Sequence, residues 1–145
     1  MKWNNFEESD KEYPEKIAER SIEGFSKATK GLAELKVSEL SDMARITTRV
    51  QGDFLYNIRL ISPFVNEYSL KIMTFGYDIE LSPINFILDE AIHLELYNEP
   101  LKYDSNMVCQ DSKMFSNVLE KVYASKRFTD TVAGLMKIAR KYNKI

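Results

Sequence analysis

The chain of 145 residues has one cysteine, one histidine, one tryptophan and only five glycines, and each scarcity removes a class of chemistry. Cys109 alone can form neither an intrachain disulfide nor a cysteine-based zinc cluster, and a single thiol fits a reducing compartment. The five glycines are Gly24, Gly31, Gly52, Gly76 and Gly134, at least seven positions apart. Neither a P-loop nor a G-x-G-x-x-G dinucleotide loop can be written from them. Nucleophile-elbow and kinase patterns are also missing. No apolar run approaches the roughly 20 residues that span a bilayer. The stretch Met1–Glu8 carries early acids and no apolar segment, so no signal peptide is expected. Four prolines are too few for a disordered or fibrous chain.

What remains is an ordinary globular composition, 44% apolar and 29% charged, which predicts one domain over residues 1–145. A chain of this length buries about two-thirds of its unfolded surface and needs no metal or disulfide staple. The net charge of −2 hides an uneven distribution. Residues 51–100 carry two basic groups against eight acidic ones, whereas residues 101–145 carry nine basic against four acidic. An acidic middle and a basic end can attract different partners, or each other.

The order of elements follows from periodicity. Proline is accepted at the first helical position, so Pro14 opens a helix whose face carries Ile17, Ser21, Gly24, Phe25 and Ala28, with Gly31 as its stop. Trp3 and Phe6, just before it, are expected to pack back on the domain. A short helical turn fits Ser38–Met43. The period then changes to two: Ala44, Ile46, Thr48 and Val50 alternate, Gln51-Gly52-Asp53 turns, and Phe54, Tyr56, Ile58 and Leu60 alternate again, the pattern of a hairpin. Tyr68, Leu70 and Ile72 begin a third strand. Ile79–Leu88 reads as a fourth, interrupted by Pro83, which could instead open a helix. Asp89 caps a helix over Glu90–Tyr97, Asn106–Cys109 reads as a short extended piece, and Asp111 or Ser112 caps the next helix. Phe128, Val132, Leu135, Ala139 and Tyr142 form the stripe of a last amphipathic helix. The predicted fold is a two-layer α+β domain, an antiparallel sheet of about four strands with an N-terminal helix and two or three C-terminal helices.

Four groups of residues could carry function. His93 could pair with Cys109 as base and nucleophile, and Glu90-x-x-His93 has the spacing of a di-iron motif, but a single such motif and a single histidine more simply fill structural positions. Asp78, Glu80, Asp89 and Glu90 are close in sequence and could hold a cation or cleave a glycosidic bond, although Asp78 and Glu80 also alternate as a solvated strand face would. With Tyr56, Tyr68 and Tyr77 the same acids read as a docking surface for a basic protein, in which tyrosine supplies contact area and charge speeds association. Lys137, Arg140, Lys141 and Lys144 share one face of the last helix and offer a nucleic-acid alternative, or a solvated helix end. The favoured expectation is a non-enzymatic cytoplasmic module without metal or cofactor, binding a basic protein as antitoxin or immunity proteins do. An unrecognised small enzyme and a homodimer through an edge strand are the other possibilities.

Overall fold

A computed structural model of the chain describes residues 1–103 and 105–143. The elements run α1 (Pro14–Ser21), α2 (Phe25–Ala28), β1 (Glu34–Glu39), α3 (Asp42–Thr47), β2 (Phe54–Ile61), β3 (Ser69–Tyr77), β4 (Ile84–Leu88), α4 (Glu90–Tyr97), β5 (Met107–Cys109), α5 (Ser112–Ala124) and α6 (Lys126–Tyr142). The five strands form one antiparallel sheet in the order β1-β2-β3-β4-β5. Helices against that sheet give the α+β class expected from the sequence. No helix among the described residues is long and apolar enough to cross a membrane.

Two boundaries differ from the sequence reading. The predicted helix from Pro14 to Gly31 is broken at Gly24, whose φ of +81° is open to glycine at no steric cost and separates α1 from α2. The predicted helical turn and first strand are exchanged: β1 occupies Glu34–Glu39, and residues 42–47 are helical instead of extended. Two local features explain the exchange. Ser41 caps α3, its hydroxyl accepting the Ala44 N–H at 3.2 Å. Leu35 and Val37 alternate with Lys36 and Ser38 and reach the core opposite Leu60 and Ile58, whereas Ile46 is 80% exposed and had no core to reach. Pro83 precedes a strand, β4, and the extended piece near Cys109 is a fifth strand paired to it.

The main core lies between the sheet and α1, α4, α5 and α6. Phe75 of β3 meets Phe115 of α5 with ring centroids 5.1 Å apart, and Leu119, Val122, Phe128, Val132 and Leu135 continue the helical layer. The β2–β3 register shifts at Ile58/Arg59, and this irregularity lets the consecutive residues Ile72 and Met73 both join that core. Ser125 ends α5 and caps α6 by accepting the Phe128 N–H at 3.2 Å. Glu95 of α4 accepts the next two α6 N–H groups, from Lys126 at 2.7 Å and Arg127 at 2.8 Å, tying the two helices together.

The other sheet face is roofed over one half only. Leu40, Val50 and Leu55 form a second small core with Ala44 of α3 and Ile87 of β4. Here the chain crosses β3 at backbone contact: a Cβ on Gly76 would lie 3.0 Å from the Gln51 carbonyl and 2.5 Å from the Leu55 side chain. Beneath this roof the Thr74 hydroxyl donates to Asn57 Oδ1 at 2.7 Å, satisfying two buried polar groups together.

The N-terminal residues are not packed as expected. Trp3 and Phe6 are 76% and 77% exposed, their rings 6.4 Å apart, in a segment without helix or strand that precedes Pro14. Its acids and amides hold it in water: residues 1–13 carry four acidic and two basic groups and two asparagines.

Gly76→Val forces the Gln51 segment off β3, and the expected loss is about 1–3 kcal/mol in chemical denaturation. Gly134, helical with nothing within 4 Å of its would-be Cβ, should behave oppositely, Gly134→Ala adding roughly 0.5–1 kcal/mol.

Candidate functional site

Strand order places the start of β2, the end of β3 and the start of β4 at one end of the sheet, since Phe54 pairs with Tyr77 and Gly76 with Asn85. Two of the predicted docking tyrosines are here, and both turn their hydroxyls toward α1. Tyr56 Oη donates to Glu15 Oε2 at 2.8 Å and Tyr77 Oη donates to Glu15 Oε1 at 2.6 Å. The two rings stack with centroids 6.4 Å apart and planes within 3°. Tyr77 is 3% exposed. One carboxylate therefore closes α1 onto two strands with a pair of charge-assisted bonds. Burial, reinforced by Glu15, pushes the Tyr56 hydroxyl up to about 12, and it raises Tyr77 as well.

The predicted acids divide between opposite ends of β4. Asp78 and Glu80 are exposed beyond the end of β3, with Ile79 between them 76% exposed. Asp78 Oδ1 accepts the Asp53 N–H at 3.0 Å, so Asp53 stands beside it. Glu39, the last residue of β1, pairs with Tyr56 at the same end. Lys11 ties the N-terminal arm here, its Nζ donating to the Ser82 hydroxyl at 2.9 Å and the Glu80 carbonyl at 3.3 Å. Asp89 and Glu90 lie at the far end of β4. There Asp89 caps α4 through the Ala91 and Ile92 N–H groups and approaches Arg127 at 3.7 Å. Tyr68 is half-buried before β3, also away from Asp78 and Glu80. The exposed aromatic groups Trp3, Phe6 and Tyr13 belong to the arm that Lys11 ties to this end, and the signal for them in the sequence was their position before a proline-started helix among acids and amides.

The remaining candidates are accounted for in the same way. His93 and Cys109 are both buried in the main core, each 1% exposed. Neither His93 ring nitrogen has a hydrogen-bond partner, so the thiol and imidazole do not form a base–nucleophile pair. Burial, with Asp111 nearby, pushes the Cys109 thiol up to about 11, away from the reactive thiolate. His93 packs instead on Tyr97, ring centroids 5.0 Å apart, while Glu90 of the same helix is exposed. Among the described residues no three histidine, cysteine or acidic side chains gather at a metal-binding distance. Lys137, Arg140 and Lys141 are exposed along α6, and Lys144 lies outside the described residues. The sheet's edges are β1 and β5. Glu34, Lys36 and Glu39 place charge along β1, an edge on which strand pairing between copies is disfavoured.

No family model, curated protein or solved structure matches the chain. Its function is therefore read from its own surfaces.

Removing the carboxylate that holds both tyrosines leaves two phenolic donors without their acceptor. Glu15→Ala is expected to cost about 1–3 kcal/mol in denaturant unfolding, and Glu15→Gln less, since its amide oxygen still accepts. Alkaline titration gives a second test. A pKa raised by folding contributes stability that is intact below the ordinary value and is lost as pH rises through the raised one. Thermal midpoints should stay level up to about pH 9, then fall between about 9 and 12 as Cys109 and Tyr56 lose their protons.

Proposed function

We propose that this protein is a non-enzymatic cytoplasmic binding module that engages a basic protein partner through the acidic end of its sheet and the aromatic arm before α1. The observation that carries this reading is the exposure of Trp3 and Phe6 on an arm that Lys11 ties to the acidic end of the sheet. Large aromatics in the open have a solvation cost that an internal packing role does not explain, and they are the side chains most enriched at binding hot spots. Asp53, Asp78, Glu80 and Glu39 supply a field that speeds encounter with a cationic surface, and the arm's own acids add to it. The Glu15–Tyr56–Tyr77 cluster serves this surface from inside by fixing α1, and hence the root of the arm, to β2 and β3. A small acidic chain of this kind suits the masking of a basic effector, as antitoxin and immunity proteins do.

The test is capture on the tagged protein from nuclease-treated lysate of the native cell, identified by mass spectrometry. A basic protein should be retained by the wild type, released by high salt, and lost both with Trp3→Ala/Phe6→Ala and with Asp78→Lys/Glu80→Lys. Retention unchanged by both double variants, or a partner that disappears on nuclease treatment, overturns the reading.

A further inference from the structure

The unroofed half of the second sheet face carries an arrangement that stability alone disfavours. Lys36 pairs directly with Arg59, and Arg59 pairs directly with Lys71, so three cations form one row across β1, β2 and β3. Directly paired residues project to the same face, and their neighbours fix which face this is. Leu35, Val37, Ile58, Leu60 and Leu70 all pack into the helix-side core, leaving the cations on the opposite side. Lys36 and Lys71 are exposed and Arg59 is half-exposed. Like charges placed directly opposite one another destabilise a sheet. Among the described residues no carboxylate pairs with any of the three, the one side-chain contact being from Arg59 Nη1 to the Ser69 hydroxyl at 3.2 Å. Glu34 lies on the same face of β1 as Lys36, and Asp89, which lines one cavity with Lys71, is engaged by α4 and Arg127.

The row continues into a cleft. Lys71 lines a cavity of about 130 Å³ together with Arg49, Thr48 and Thr74. Arg49 also lines the adjoining depression of about 430 Å³ with Tyr103, Ser105 and Asn106. Its guanidinium lies 5.2 Å from the centre of the Tyr103 ring and donates to the Lys102 and Tyr103 carbonyls at 3.1 and 2.6 Å. That ring is 86% exposed and backed by a cation. Four cations and an open aromatic ring thus lie along one surface.

We propose that this face binds single-stranded nucleic acid, with Lys36, Arg59, Lys71 and Arg49 on successive phosphates and Tyr103 stacking a base. Guanidinium forks match phosphate oxygens, and a cation-backed aromatic ring stacks any base without reading its sequence. A chain of phosphates also removes the repulsion within the row, which gives the unpaired cations a purpose that folding does not. This surface is distinct from the acidic end and from the basic face of α6, so it stands or falls independently of the protein-binding reading.

The experiment is fluorescence anisotropy with a labelled 20-nucleotide oligo-dT, titrated with the full chain across a salt series. Binding should weaken with salt with a log–log slope near −2 to −3, about 0.7 for each of three or four phosphates. Lys36→Gln/Arg59→Gln/Lys71→Gln should lose at least tenfold in affinity and most of that slope, Tyr103→Ala should weaken binding with the slope kept, and Lys137→Gln/Arg140→Gln/Lys141→Gln should change neither. The triple sheet variant should melt no lower than wild type, because it removes repulsion, and Lys36→Gln and Lys71→Gln alone, at exposed positions, provide the same affinity test if it does melt lower. Absence of binding at low salt, affinity unchanged in the sheet variants, loss confined to the α6 variant, or equal affinity for a duplex or for polyglutamate overturns the proposal.

Discussion

Strand β3 is the constraint on which the rest of the molecule depends, because residues 72–77 are buried on both faces of the sheet. A strand so placed must give every polar group an internal partner and every side chain a fitted neighbour. Phe75 meets α5 on one side, and on the other Thr74 finds Asn57 and Gly76 yields to the Gln51 carbonyl. Tyr77, at the end of the buried run, requires an acceptor, and Glu15 provides it while also taking Tyr56. The position of α1 follows from that demand. So does the division of the second face, since α3 and the 48–53 segment cover only the half that β3 needs covered.

The same architecture separates charge by place and not merely by sequence. Asp53, Asp78 and Glu80 gather where β2, β3 and β4 meet, while Lys36, Arg59 and Lys71 line up across three strands on the uncovered face. A net charge near zero thus conceals two fields of opposite sign on one small surface.

Much of the fold was legible because the informative residues act locally. Pro14, Asp89 and Asp111 mark helix starts through side-chain hydrogen bonds or a fixed φ, and the 3.6-residue stripe from Phe128 to Ala139 is buried as its spacing implies. The failures lie where a decision is tertiary. Residues 44–50 alternate as a strand does, yet Glu34–Glu39 takes the place beside β2 because Leu35 and Val37 can reach the core. The site was less legible still. Tyr56 and Tyr77 look like surface tyrosines among acids until Glu15, more than forty positions away from either, closes on them. The Lys36–Arg59–Lys71 row is invisible in sequence, since it exists only once two strand registers, one with an irregularity, are known.

The exposure of Trp3 has a spectroscopic consequence. It is the chain's only tryptophan and it stands in water on the arm, apart from the hydrophobic core. An indole so exposed emits as a hydrated one, so unfolding of the sheet should leave the tryptophan band almost unchanged while tyrosine absorbance and circular dichroism record the transition. Anything that covers the arm, by contrast, shifts that band to the blue.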